Sequence, residues 1–241
     1  MSSSRFTKAD LDLYLKEVAK EYRKLGGKYA PAEIVLVGGA AILSRYGFRD
    51  MTTDIDAIIH AESTMKDAIN HVGEKYDLPV NWLNADFKRT TSYSPKLDEI
   101  SVYYKSFYGV LNVRTVADEY LIAMKLRAGR KYKHDLSDIV GILVEHKKNG
   151  TPISLSQIVT AVEYLYGSWD AIDTDSKFFI QMAVLQDNIE EVYASVAKEE
   201  EQAKHLLVEF EKKYENVANA SNVDQILKDL KNDKDKRPSQ K

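Results

Sequence analysis

Apolar residues recur along this chain in two different periods, and the change from one to the other divides it. After Thr7, the residues Leu11, Tyr14, Leu15, Val18 and Tyr22 follow helical spacing, and Thr7-Lys8-Ala9-Asp10 has the form of a capping box. A helix is therefore predicted over 7–25, stopped by Gly26-Gly27. The short β-branched run Ile34-Val35-Leu36-Val37 reads as a buried strand ending in Gly38-Gly39, with helix resuming at Ala40-Ala41-Ile42-Leu43. A polar loop, Arg49 to Thr53, leads into a second buried strand, Asp54-Ile55-Asp56-Ala57-Ile58-Ile59, and residues 64–76 read as helix. Residues 82–87 and Lys88 to Pro95 show neither period and read as irregular. Ile100 to Tyr104 and Val110 to Val113 form a predicted hairpin about Gly109. Thr115 to Asp118 reads as a second capping box, opening a helix to about Ala128, and another runs from Asp135 to Lys147 before Asn149-Gly150.

Beyond Thr151 the strand period disappears. Helices are predicted over 154–166, 176–184 and 187–214, the last with an inward stripe of Ile189, Val192, Val196, Ala203, Leu206 and Phe210 interrupted at Glu199. The expected organisation is an α+β domain over 1–150, a helical domain over 151–228 and a flexible charged tail over 229–241.

Composition narrows the chemistry. The 241 residues include 34 Lys+Arg and 37 Asp+Glu, a net charge of −3, so any contact with nucleic acid has to come from a local basic patch. The absence of cysteine excludes disulfides, thiolate zinc sites, iron–sulfur clusters and cysteine nucleophiles. The five histidines, at 60, 71, 134, 146 and 205, have no zinc-ligand spacing, and no Gly-x-Ser-x-Gly elbow occurs. No apolar leader or membrane-length run is present, which makes a cytoplasmic location without membrane contact the expectation.

Asp54 and Asp56 lie two apart on a predicted strand, so both side chains leave one face of the sheet. Two converging carboxylates suit Mg²⁺, with Mn²⁺ the alternative; without a cation or hydrogen bonds, acids opening an apolar strand would be costly. Gly38-Gly39 stands at a strand-to-helix turn, where backbone N–H groups can approach a phosphate. Lys125 lies on a helix among Leu121, Ile122, Met124 and Leu126 and reads first as a solvated lysine near the core boundary. Asp135 and Asp138 share a helix face and read equally as acids suited to a helix N-terminus or as functional groups. The basic cluster Arg127, Arg130, Lys131 and Lys133 suits either a solvated helix end or a track for a phosphate backbone.

Together, the strand, Gly38-Gly39, the loop with Arg49 and Thr52, and Asp54-Ile55-Asp56 resemble the signature of nucleotidyltransferases with the polymerase-β-like fold. The stretch VGGAAILSRYGFRDMTTDIDAII and the block from Tyr120 through Lys125, Arg127 and Arg130 to Asp135 and Asp138 are similar to the AbiEii-type group, the toxin class of type IV toxin–antitoxin systems. The resemblance covers about residues 34–145. It implies a mixed sheet and Mg²⁺-dependent transfer of a nucleotidyl group from an NTP, such as ATP, to an acceptor hydroxyl, with release of pyrophosphate.

In that reading Asp54 and Asp56 are the metal ligands and catalytic carboxylates. Gly38, Gly39, Arg49 and Thr52 line the nucleotide, and Lys125 contacts the triphosphate with Asp135 and Asp138 as polar partners. The acceptor expected from the resemblance and the basic cluster is RNA, tRNA foremost, met by Arg127, Arg130, Lys131 and Lys133, and an antitoxin protein is an implied partner. A third carboxylate is not evident; Asp86, Asp98 and Glu99 are the candidates. Two other readings stand beside this one: a transferase acting on a small molecule such as an aminoglycoside or lincosamide, and a protein that binds a nucleotide or a partner without turnover.

Overall fold

In the computed structural model, which describes residues 5–61, 63–219 and 222–236, the chain opens with the capped helix that Thr7 predicts. The Asp10 amide donates to the Thr7 hydroxyl and the Thr7 amide donates to the Asp10 carboxylate, starting α1 (Lys8–Lys24). Its apolar face, Leu11, Leu15, Val18 and Tyr22, is fully buried.

The sheet has five strands: β1 (Ala32–Leu36), β2 (Ile55–His60), β3 (Leu83–Asn84), β4 (Ser101–Phe107) and β5 (Leu111–Val116), in the order β3-β2-β1-β5-β4. Central β1 runs antiparallel to β2 and parallel to β5, so the sheet is mixed. The predicted hairpin is β4–β5, antiparallel, with a register shift between Tyr103 and Lys105. Helix α2 (Gly38–Arg45) follows β1 and α3 (Thr64–Lys75) follows β2. After β5 come α4 (Asp118–Ala128), α5 (Asp135–Lys148), α6 (Leu155–Tyr166), α7 (Thr174–Ala183), α8 (Ile189–Lys213) and α9 (Val223–Lys236). None of these helices is long and apolar enough to cross a membrane.

Three local expectations need correction. Leu83-Asn84, within the stretch read as irregular, is a strand paired in parallel with β2, Leu83 opposite Ile55 and Asn84 opposite Asp56. Two residues are too few to display a period. Thr115 does not cap α4: it lies in β5 opposite Leu36, fully buried, its hydroxyl without a hydrogen-bond partner. The cap position belongs to Ala117, and the Asp118 carboxylate instead accepts both Arg45 guanidinium N–H groups, at 2.6 and 2.8 Å. The third correction concerns α8, whose buried residues are Ile189, Glu200 and Ala203, so the inward face includes a carboxylate outside the predicted stripe.

Among the described residues no strand lies beyond Val116, yet Gly150 does not separate two cores. Ile158, Ala161, Val162, Leu165, Ile172 and Ile180 belong to the same buried cluster as Ile34, Leu36 and Leu121. A small second cluster joins Ala203 of α8 to Val223 and Leu227 of α9. The segment expected as a tail from residue 229 is helical to Lys236, and residues 237–241 lie outside the described part.

Candidate nucleotide site

The site grows from the turn after β1. Gly38 has φ +55°, a conformation glycine adopts without strain, and a Cβ there would lie 3.9 Å from Oδ2 of Asp56. The chain thus passes close over the β2 carboxylate as it enters α2, whose first-turn N–H groups receive no side-chain cap. Gly39 is constrained by space: a Cβ would stand 2.8 Å from both Arg49 Nη2 and Thr52 Oγ1. Neither neighbour yields freely. Arg49 donates to the Asp138 carboxylate and to the Met51 carbonyl, and buried Thr52 donates to the Asp54 carbonyl at 3.1 Å while its backbone pairs with Phe6. Gly39→Ala is therefore expected to push the guanidinium off Asp138 and lower stability by about 1–3 kcal/mol, read as a denaturation midpoint shift. An unchanged midpoint would show that the loop relaxes without loss.

Asp54 is exposed immediately before β2, and Asp56 is half-buried within it, held in register by the hydrogen bond from the Val37 amide to its carbonyl at 3.0 Å. Burial first, and then the neighbouring Asp54 charge, push the Asp56 carboxyl up to about 6, while Lys133 and Arg130 pull the other way. Asp56 is thus a desolvated carboxyl two residues from the exposed Asp54, with the charges of Lys133 and Arg130 acting on it. Mg²⁺ is commonly held by one or two carboxylates together with substrate phosphates, so Asp54 and Asp56 fit it. Among the described residues no group of three or more acids or histidines could hold a metal. Of the third-carboxylate candidates, Asp98 pairs with His60 at 3.1 Å and Glu99 accepts from the Tyr164 hydroxyl at 2.5 Å. Asp86, just past β3, is the one whose charge acts on Asp56. The short β3 that brings it there has no periodic signature in the sequence.

Lys125 does not face solvent. It is 7% exposed, with Nζ 2.9 Å from Asp135 and 2.8 Å from Asp138. Burial opposes its charge, but the two carboxylates outweigh this and raise its pKa. Asp135 also accepts from Arg130, at 2.8 Å to Nε and 3.2 Å to the backbone N–H. Burial disfavours its charge as well, and Lys125 and Arg130 overcome this, holding the carboxyl well below the usual range. With Arg49 on Asp138, three cations enclose two carboxylates and join the Arg49 loop, α4 and the start of α5. Lys125 therefore supports the site from within, through Asp135 and Asp138.

The basic cluster is divided. Arg127 donates to the carbonyls of Thr91 and Ala171 and lies over the Tyr166 ring, so it ties α4 to the chain before α7. Lys131 pairs with Asp175 of α7 at 3.1 Å. Arg130 and Lys133 act on Asp56 and belong with the carboxylates. These four side chains do not form one continuous track.

The family described as nucleotidyltransferase of unknown function (DUF6036) matches residues 14–150. No curated protein and no solved structure matches the chain. The match takes in 137 of the 241 residues and contains the glycine turn, both β2-proximal acids and the whole buried ionic cluster, and on that extent the chain belongs to this family of nucleotidyltransferases.

Proposed function

We propose that the chain transfers a nucleotidyl group from an NTP to an acceptor hydroxyl in a reaction that depends on Mg²⁺. The observation that carries this reading is the glycine turn passing close over the Asp56 carboxylate, with the exposed Asp54 two residues before it and the charges of Arg130 and Lys133 acting on Asp56. The acceptor oxygen forms a bond to the α-phosphorus, the bond from that phosphorus to the pyrophosphate oxygen breaks, and the hydroxyl proton is released to solvent. Mg²⁺ or Mn²⁺ held by Asp54 and Asp56 supplies charge neutralisation between phosphates and activation of the attacking oxygen. Gly38 and Gly39 offer backbone N–H groups to phosphate, Arg130 and Lys133 offset the charge on the leaving pyrophosphate, and Arg49, Lys125, Asp135 and Asp138 hold those groups in place.

RNA is the acceptor we propose, and a toxin role with an antitoxin partner is the biological setting; both rest on the AbiEii-like segments. A specific observation favours the small-molecule alternative, because Arg127 and Lys131 are held by internal partners. Salt separates the two. Of the four cluster residues only Lys133 has no side-chain hydrogen bond or ion pair among the described residues, so RNA labelling should fall roughly three- to fourfold between 50 and 200 mM salt, whereas a small hydroxylated acceptor should show little dependence.

The test is incubation with each of four labelled NTPs, Mg²⁺, and total RNA or an aminoglycoside, with EDTA and Asp56→Ala as controls. Label in RNA that vanishes in both controls and declines with salt supports the proposal, and growth arrest on expression, absent in Asp56→Ala, supports the toxin setting. Efficient labelling of the aminoglycoside alone would assign the other acceptor, and nucleotide retention without transfer would make the chain a binding protein.

A further inference from the structure

Helix α8 lies outside the family match, and it grips the two segments that carry the ionic cluster. Near its start, Tyr193 donates from its hydroxyl to the Phe48 carbonyl at 3.3 Å, and the two rings meet edge to face with centroids 5.9 Å apart. Phe48 in turn presses on Gly141 of α5, where a Cβ would come 2.5 Å from the ring, and the next residue is Arg49. Roughly two helical turns further along α8, Glu200 is 3% exposed. Its carboxylate accepts the Leu136 amide at 2.9 Å, the Ser137 amide at 3.3 Å and the Ser137 hydroxyl. His134, at the N-cap position of α5, has no side-chain cap bond there, and Glu200, 64 and 63 residues after Leu136 and Ser137, satisfies their amides beside Asp135 and Asp138. A buried carboxylate on a helix is costly, and these donors offset the cost only in part, since burial still pushes the Glu200 carboxyl up to about 7. The titratable groups facing Glu200 are His134, with Nδ1 at 3.9 Å, and Asp138.

We propose that α8 is a clamp on the nucleotide site, with Glu200 the positioning residue for the α5 end and Tyr193 for the Arg49 loop, so that affinity for a nucleoside triphosphate depends on a helix beyond the matched region. The ligand named here rests on the nucleotidyltransferase reading; the clamp itself is a statement about Glu200, Tyr193, α5 and the loop. Leu at 200 removes both acceptor oxygens and leaves two amides unmet. Gln keeps one oxygen for them.

The 241-residue wild-type chain, Glu200→Leu, Glu200→Gln and Tyr193→Phe are compared by amide exchange over 47–52 and 134–138, and by binding of the α,β-methylene analogues of the four NTPs with Mg²⁺. Glu200→Leu should exchange faster in both segments and bind nucleotide about tenfold more weakly, with Glu200→Gln close to wild type. A cooperatively melting Glu200→Leu with unchanged exchange over 47–52, or with unchanged affinity, would overturn the clamp. If that variant does not melt cooperatively, Tyr193→Phe decides: faster exchange over 47–52 supports the clamp and wild-type exchange there rejects it. Should wild type bind none of the four analogues, the nucleotide reading fails and exchange alone judges the clamp.

Discussion

Replacing Asp56 by alanine is expected to reduce nucleotidyl transfer by about a thousandfold while making the metal-free protein more stable at neutral pH. The opposite signs follow from one arrangement. Asp56 is drawn from its ordinary value of 3.8 up to about 6 by burial and by Asp54, so the folded chain holds the proton more tightly than the unfolded chain. Its contribution to stability is therefore fully present below about pH 4 and is lost as the pH rises through about 6. Asp56→Asn, which keeps the shape without the charge, should gain about 1–2 kcal/mol at pH 7 relative to wild type and nothing at pH 4. Melting curves at both pH values, with and without Mg²⁺, alongside transfer of label, test both halves. Wild-type turnover in Asp56→Ala would remove the metal-site reading, and equal melting of Asp56→Asn and wild type at pH 7 would remove the electrostatic account.

The largest loss of stability is expected from Asp135→Ala, and charge counting gives the reason. Arg49, Lys125 and Arg130 surround Asp135 and Asp138, so deleting Asp135 leaves three cations around one carboxylate, one of them fully enclosed. An uncompensated buried charge of this kind costs about 3–5 kcal/mol. Lys125→Met removes the most buried cation and leaves Arg49 and Arg130 on the two acids, a balanced set around an apolar chain of similar length. It should cost clearly less, and a larger loss for Lys125→Met than for Asp135→Ala in urea titrations would show that the cluster is held by Lys125 and not by charge balance.

Sequence carried the local events well. Thr7 and Asp10 announce α1 because a capping box involves residues three apart, and the β-branched run before Gly38 announces β1 because a strand buried on both faces needs no alternation. The Asp-x-Asp spacing is likewise local, and the turn passes close over Asp56 while Asp54 stands exposed just before β2. What escaped was decided at a distance. Thr115 mimics a cap because the tetrapeptide does not reveal that the chain is still paired with β1 there. Lys125 resembles a solvated lysine until α5 brings two carboxylates to it, and Arg127 and Lys131 look like neighbours in a basic track until Ala171 and Asp175 claim them. Glu200 has no local signal at all, since its partners are 63 and 64 residues earlier.

The shared core has a consequence for biosynthesis. In α4, Leu121, Ile122, Ala123, Met124 and Leu126 are all buried, and the helix packs chiefly on α5 and α6, and also on α2 and α7. A nascent chain that has emerged only as far as residue 150 already contains the glycine turn and both β2-proximal acids, yet the partners α6 and α7 that complete its interior are still to come. Late, long-range closure slows folding and leaves apolar surface open in the meantime. The segment up to residue 150 would thus leave the ribosome as a holding state, and competence would arrive only once α6 and α7 have followed it.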